Sequence, residues 1–309
     1  MDQGEDRFTM VEGPVVTAAD PWDPESRTAD LSRAAELAVP ATDEADPLVP
    51  PLRSGLPGLL THTRGAVRRC LAGLLGAGLV AALPMHFFVG RVDDTVIAAP
   101  ALSDLLGGFG LLLLPLMWLA YFTVSALPLV ICLAGATAVA VAEAATGSLP
   151  SPRAAARLVA YRLRPLWLWF AAFGVVTQAL PLLLTTDRLG PAVAAPLAAG
   201  LALISTAVLT FLGMLGCVVL IERDRGPRRA AHLCSPATLG GPVLASLAVT
   251  VLPRLAEAAW GAIASTVVAV VSVLLWAITA MVAYAQARRA EGPVTSASLF
   301  AELSRPELD

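Results

Sequence analysis

The chain has 309 residues, of which 57% are hydrophobic and only 15% are charged, and its mean hydropathy is +0.72. Ordinary globular chains are about 25% charged, so a water-soluble protein of this composition would lack the polar groups to cover its surface. A bilayer removes that requirement, because lipid tails can face apolar side chains. All 21 basic residues are arginine, which excludes a P-loop lysine, a Schiff-base lysine and a Ser–Lys dyad.

The charge is divided unevenly along the chain. Residues 1–52 contain 12 acidic residues and 3 arginines, a net charge of −9, whereas residues 53–309 contain 12 acidic residues and 18 arginines, a net charge of +6. The acidic segment has no hydrophobic periodicity, which predicts a disordered cytoplasmic tail over residues 1–52. No signal peptide precedes the first apolar run, so we expect that run to act as a retained signal anchor.

Long apolar runs separated by arginine-rich joints predict an all-α fold, a polytopic transmembrane helical bundle of about six spans. The expected spans are 67–89, about 122–142, 166–185, 192–221, 237–253 and 262–287. They lie in a transmembrane domain over residues 53–292, and a short cytoplasmic C-terminal tail follows over residues 293–309.

The apolar stretch 105–142 is too long for one span. As a single helix it would measure about 57 Å, against about 30 Å of hydrocarbon. Two full spans would place the arginines of 153–164 outside the cell. We therefore expect one span near 122–142, preceded by a re-entrant or interfacial helix near 105–119, with prolines at the bends. Two separate spans remain the alternative.

The distribution of arginines predicts the orientation. The arginines expected on one side of the membrane are Arg53, Arg64, Arg68, Arg69, Arg153, Arg157, Arg162, Arg164, Arg223, Arg225, Arg228, Arg229, Arg288 and Arg289, and those on the other are Arg91, Arg188 and Arg254. By the positive-inside rule, the larger group faces the cytoplasm. The number of spans is then even, and both termini are cytoplasmic in a multi-pass protein of the plasma (cell) membrane.

Four segments carry a family resemblance: PLRSGLPGLLTHTRGAVRRC at 51–70, ATGSLPSPRAAARLVAYRLRPLW at 145–167, VVLIERDRGPRRAAHL at 218–233 and YAQARRAEG at 284–292. The first is a basic amphipathic stretch, and the others are arginine-bearing loops at the ends of spans. Through them the chain resembles, over about residues 51–303, the membrane domain associated with glycerophosphoryl diester phosphodiesterases, of the stand-alone actinobacterial type.

This resemblance implies a membrane module without phosphodiesterase activity, because the family's soluble barrel, which carries the metal site and the catalytic histidines, has no counterpart in the chain. Two segments depart from the family pattern. Residues 232–234 replace an expected Arg-Ser-Trp-like segment, and an acidic residue expected shortly after Tyr284 is missing, with Gln286 nearby.

Few residues are candidates for a site. Lipid or anion contacts are predicted at Arg254, which lies three residues before Glu257 on a helical turn, and in the inner loops at Arg162, Arg164, Arg228 and Arg229. A hairpin cap is the alternative role for Arg254 and Glu257, and topology alone is the alternative for the inner arginines. The four cysteines have no CxxC spacing and are interpreted as apolar packing residues. No catalytic residue, metal or cofactor is predicted.

The sequence therefore favours a non-catalytic scaffold module associated with the membrane and its lipids. The alternative is a small-solute or lipid transporter or exporter subunit, although its spans contain few of the ionisable residues on which ion coupling depends. The expected partners are membrane lipids, with other membrane proteins or a second copy of the chain as further options. Nucleic acid is not expected, because the arginines flank spans and lack interleaved aromatic residues.

Reporter fusions test the predicted orientation. Because Gly147 follows the second span in an arginine-rich joint, green fluorescent protein fused there should fluoresce and alkaline phosphatase should be inactive. A fusion after Gly190, in the outer turn, should give the reverse result. Phosphatase activity at Gly147 would contradict the single-span interpretation of 105–142.

Overall fold

The computed structural model describes residues 46–51, 54–89, 116, 119–121, 123–183, 191–222 and 226–305. These residues form α1 (Gly55–Val89), α2 (Leu127–Thr146), α3 (Pro152–Leu183), α4 (Pro191–Ile221), α5 (Pro227–Leu233), α6 (Pro236–Trp260), α7 (Ala262–Arg289) and α8 (Ser296–Ser304). No strand occurs within those ranges, and the predicted all-α fold is confirmed. Apart from 46–51, the predicted tail lies outside the described residues, as does most of the predicted re-entrant helix.

The described helices include five that are long and apolar enough to cross a membrane. These candidate spans are Gly55–Ala82, Leu119–Thr146, Ala199–Ile221, Thr238–Trp260 and Ala262–Arg289. They correspond to five of the six predicted spans, so the chain is a polytopic helical bundle of the membrane-spanning type. The remaining prediction, 166–185, falls in α3, where side chains are described only as far as Gly174.

The fifth predicted span ends later than expected. Its predicted end is residue 253, whereas α6 continues through Arg254 and Glu257 to Trp260. The hydropathy of the sequence falls at this charged pair, which suggests the end of the span. Arginine and glutamate are nevertheless good helix formers, so the helix itself continues through them. The chain turns instead at Gly261, whose φ of 85° lies in the left-handed region that favours glycine.

α7 is the central helix of the bundle and packs against α1, α2, α4 and α6. Every residue from Trp276 to Ala287 is buried. A helix that is surrounded by others can be apolar on all sides, and over this stretch α7 is accordingly apolar apart from Thr279, Tyr284 and Gln286. The surrounding helices carry exposed leucines instead, such as Leu75 at 61% and Leu255 at 60%, which is the surface expected to face lipid.

Glycines allow the helices to approach α7 and α2 closely. A Cβ atom added to Gly213 of α4 would lie 2.9 Å from Cβ of Ala280 and 3.3 Å from the Trp276 ring. One added to Gly73 of α1 would lie 2.6 Å from a methyl group of Val139. Small residues at such positions are the usual means of packing helices within a membrane. Gly76, by contrast, has nothing within 4 Å of such an atom.

Gly213→Ala should destabilise the bundle, because the new methyl group would meet α7 at a distance that neither helix can relieve without moving. We expect a loss of about 1–3 kcal/mol, the usual cost of overpacking a core. Thermal denaturation in detergent, followed by tryptophan fluorescence, measures this. Gly76→Ala is the matched control and should leave the midpoint unchanged or raised, since alanine favours helix by about 1 kcal/mol. Equal midpoints for the two variants would contradict the close α4–α7 contact.

Candidate functional site at the arginine-rich end

Apart from Arg254 and Glu257, the charged residues of the described chain gather at one end of the bundle, which we call the arginine-rich end. There α2, α4 and α7 finish and α1, α3, α5 and α6 begin. Its acidic side chains are Asp46, Glu143, Glu222, Glu291 and Glu302, each of which accepts a hydrogen bond from another segment of the chain. Charged contacts therefore hold this end together.

Glu222 is the central carboxylate. It follows the last residue of α4, and its residue is only 7% exposed. Arg229 of α5 donates from Nε to Glu222 Oε2 at 2.8 Å. The hydroxyl of Tyr284 donates to Oε1 at 3.0 Å, and Nη1 of Arg288 lies 3.0 Å from the same oxygen. Both carboxylate oxygens thus have cationic or hydrogen-bonding partners, and three helices meet at one side chain.

These partners explain how Glu222 remains ionised while buried. Removal of a carboxylate from water is costly unless opposite charges and hydrogen bonds replace the water. Burial acts to raise the pKa of Glu222, but the hydrogen bonds from Arg229 and Tyr284, with the charge of Arg288, hold that pKa below its ordinary value. Glu222 is therefore an anion at neutral pH and can anchor both arginines.

Arg229 extends the cluster to the loop after α7. Its Nη1 donates to Oε1 of Glu291 at 2.6 Å, and its Nη2 donates to the second carboxylate oxygen. This two-bonded contact holds the pKa of Glu291 below its ordinary value and raises the pKa of Arg229. Nδ1 of His232 lies 3.2 Å from Glu291, where a protonated imidazole would add to the attraction.

Arg288 connects Glu222 to α8. Its Nη1 and Nη2 donate to the Glu302 carboxylate at 3.2 Å and 3.1 Å. From α3, Nη2 of Arg162 donates to the backbone oxygen of Glu302 at 3.1 Å. The last turn of α8 is therefore held between α7 and α3, and Leu299 is completely buried beneath it.

Residues 46–51 contact the same end. The carboxylate of Asp46 accepts from the backbone nitrogen of Ser296 at 2.7 Å. An acidic side chain at the first turn of a helix satisfies a free N–H group and the positive end of the helix dipole, so Asp46 stabilises the start of α8. Arg289 donates to the carbonyl oxygen of Val49 at 3.3 Å, and the side chain of Val49 is buried.

A second arginine–glutamate pair joins α1 to α2. Nε of Arg69 donates to Oε2 of Glu143 at 3.0 Å, and Nη2 of Arg69 donates to the carbonyl oxygen of Pro47 at 3.0 Å. Glu143 is buried, so α2 and α4 each end with a buried carboxylate paired to an arginine of another helix.

A different set of arginines at this end points outward. Its members are exposed and have neither a hydrogen-bond nor an ion-pair partner in the described part of the chain: Arg64, Arg68, Arg153, Arg157, Arg164 and Arg228. The described carboxylates at this end are already engaged, the glutamates by other arginines and Asp46 by Ser296. The outward set therefore presents positive charge that the described protein does not neutralise.

The structure divides the predicted contact residues into three groups. Arg162 and Arg229 lie within the network just described, where they bind protein groups. Arg164 and Arg228 are exposed at the arginine-rich end. Arg254 is exposed near the opposite end of α6, and no ion pair joins it to Glu257 in the described residues. The predicted residues therefore do not form one site.

The remaining chemistry-bearing side chains are dispersed. All four cysteines are free, and Cys70, Cys132 and Cys217 are buried, as expected of packing residues. Over the described ranges no three His, Cys, Asp or Glu side chains are placed to hold a metal ion.

Of the two buried glutamates, Glu143 stands out in the sequence at the inner end of the second predicted span, whereas Glu222 was not predicted as a site residue, although a repeated motif marks both. Glu143 and Glu222 are each followed four residues later by glycine. After each glycine comes a related helix start, PRAAARL at 152–158 and PRRAAHL at 227–233, with five of seven residues identical. A search for internal similarity would have paired the two loops and drawn attention to the acidic residue before each one.

Comparison of the chain with protein-family models, curated proteins and solved structures gives no match.

The charge network should lose strength in acid. Glu222 and Glu291 have folded-state pKa values below the ordinary 4.5. Their contribution to the free energy of unfolding is therefore complete above about pH 4.5 and is lost as the pH falls through the lower folded-state pKa values. The thermal midpoint in detergent should therefore fall between pH 6 and pH 3.5.

Glu222→Gln should lower the midpoint at pH 7, with a loss of about 1–3 kcal/mol, because Arg229 and Arg288 each lose one charged partner but keep Glu291 and Glu302. It should also flatten the dependence on pH. Glu257→Gln, which changes an exposed carboxylate without an ion-pair partner in the described chain, should match the wild type throughout. An unchanged acid profile in Glu222→Gln would show that Glu222 does not supply this stability.

Proposed function

We propose that the chain is a multi-pass protein of the cell membrane that acts as a non-catalytic, lipid-associated scaffold module, with both termini in the cytoplasm. The observation that carries the proposal is the division of arginines at the arginine-rich end. One set joins the helices through buried carboxylates, and the other is exposed without counter-charge. A rigid bundle that presents cations beside apolar helices suits attachment to an anionic membrane face.

The internal contacts support a static module. Glu222, Arg288 and Glu302 connect α4, α7 and α8 through charged hydrogen bonds, and Arg162 connects α3 to the same cluster. Movement of α4 relative to α7 would separate the buried carboxylate of Glu222 from Arg288, which is strongly unfavourable. The membrane domain that the chain resembles is associated with phosphodiesterases but is not itself the hydrolase, and this resemblance agrees with the proposal.

A transporter or exporter subunit is the second candidate, because polar groups lie between two of the candidate spans. Thr210 of α4 donates to Ser246 of α6 at 3.0 Å, and Thr206 lies 3.5 Å from Thr250 one turn away. Hydroxyl pairs of this kind commonly join helices in membranes, but they also line polar paths. Their position makes flux the measurement that separates the two proposals.

Purified protein in vesicles of phosphatidylcholine and phosphatidylglycerol tests the scaffold proposal. Two rates are measured: bleaching of fluorescent phosphatidylglycerol by external dithionite, which reports lipid crossing, and pyranine quenching under a proton gradient. For a scaffold we expect both rates to equal those of protein-free vesicles.

A protein-dependent increase in either rate would overturn the scaffold proposal in favour of transport. Thr210→Val with Ser246→Ala then serves as the matched variant, because it removes a hydroxyl pair between the spans and leaves the charge network intact. Loss of the added flux in that variant would assign the path to the α4–α6 contact.

A further inference from the structure

We propose that the outward face of the first part of α3 is a contact surface for anionic phospholipid headgroups. We call it the α3 arginine face and define it by Arg153, Arg157, Tyr161 and Arg164. The inference rests on the proposed membrane function and assigns it a surface and a class of ligand.

Helix geometry places these four residues on one side of α3. At about 100° per residue, positions 153, 157, 161 and 164 fall within a sector of about 80°, and all four are exposed. Arg162 lies on the opposite side, is 6% exposed and contacts α8. One turn of helix thus directs one arginine into the protein and another away from it.

The order of residues along this face matches the change from headgroup to acyl chain. Arg153 and Arg157 come first, and Tyr161, which is 77% exposed, and Arg164 follow one turn later. Leu168 continues the same face and is 53% exposed. Tyrosine favours the headgroup level of a membrane because its ring is amphipathic, so the face passes from arginines that flank a tyrosine to an exposed leucine.

Charge complementarity identifies the ligand as an anion. The three arginines span about 16 Å along the helix axis, from the rise of about 1.5 Å per residue, and none has an ion-pair partner among the described residues. The buried carboxylates at this end already bind other arginines. Guanidinium groups pair well with phosphate oxygens, and the phosphate-bearing surface nearest a membrane-embedded helix is that of the lipid itself.

The second copy of the motif shows why the α3 copy is open. In α5 the residues that correspond to Ala154 and Arg157 are Arg229 and His232. Arg229 binds Glu222 and Glu291, and His232 lies beside Glu291. The α5 copy therefore pairs Arg229 and His232 with carboxylates of the protein, and only its first arginine, Arg228, is exposed without a partner in the described residues. The α3 copy has alanine in place of Arg229, so its arginines have no such internal partner.

Lipid selectivity measured by electron spin resonance tests the proposal. Full-length protein is placed in phosphatidylcholine vesicles with trace spin-labelled phosphatidylglycerol or spin-labelled phosphatidylcholine, and the motionally restricted fraction gives a relative association constant. We expect the wild type to prefer phosphatidylglycerol. In the triple variant Arg153→Gln, Arg157→Gln, Arg164→Gln, the association constant of phosphatidylglycerol relative to phosphatidylcholine should fall at least about fivefold. One basic residue near an anionic surface already accounts for about that factor.

The matched control is Arg64→Gln, Arg68→Gln, Arg228→Gln. It removes the same charge from exposed positions of the outward set at the same end, and it should lower the preference less than the α3 variant does, because its three arginines are divided between α1 and α5. Replacement of the three α3 arginines by lysine should restore it, and both triple variants should keep the wild-type thermal midpoint. An equal loss in the two glutamine triples would overturn the α3 surface in favour of a diffuse charge effect.

Two further outcomes would also overturn the proposal. If the wild type shows no preference for phosphatidylglycerol, the α3 arginine face does not bind anionic headgroups. The flux assays then test the scaffold function independently of this result. A preference that soluble glycerol 1-phosphate abolishes, at an ionic strength matched with chloride, would assign the face to a soluble phosphate instead of the membrane. If the dithionite assay shows protein-dependent lipid crossing while the headgroup preference still depends on the α3 arginines, the scaffold function is refuted and the α3 arginine face is supported as a lipid contact.

Discussion

The neutralisation of Glu222 is the constraint on which the arginine-rich end depends. A buried carboxylate is tolerated only when cations and hydrogen-bond donors replace the water it has lost. The donors to Glu222 come from α5 and α7, so the ends of α4 and α7 must lie together for the charge to be satisfied. Arg288 then still has free N–H groups, which bind Glu302 and bring α8 across the end of the bundle. One carboxylate at the end of a helix thereby determines the position of several neighbours.

The apolar core supports this arrangement without specifying it. α7 is buried on all sides from Trp276 to Ala287, and glycines in α1 and α4 bring neighbouring helices to within van der Waals contact. Apolar packing is weakly directional, since lipid is as apolar as the helix surface and small shifts between helices cost little. The charged pairs at the arginine-rich end select one of the alternative helix registers, because each pair can form at only one relative height of its two helices.

The sequence predicts the spans better than it predicts the site. Long apolar runs and arginine-rich joints identify α1, α4 and α7. The boundaries of these helices farthest from the arginine-rich end are predicted to within a few residues. The same arginines could not be sorted by role, because Arg162 and Arg164 have the same chemistry and differ only in the side of α3 from which they project. That difference follows from helix rotation and from the position of Glu302 in α8, 140 residues away. The end of α6 was misplaced because hydropathy falls at Arg254 while helix propensity does not.

The cost of separating these charges favours a static bundle over a moving one. For an alternating-access cycle to open the arginine-rich end by moving α7 away from α4, the buried Glu222 would lose both Arg288 and the hydroxyl of Tyr284. Leaving one partner of a buried pair unsatisfied costs about 3–5 kcal/mol, which would hold an open state to about 1% of molecules or less. A ligand would need a preference of comparable size for the open state to reverse that balance. The outward arginines of α3 carry no such restraint, because anions can bind and leave them without any helix moving. The energetics of the two sets of arginines therefore point to a binding role at the surface of the bundle and a structural role within it.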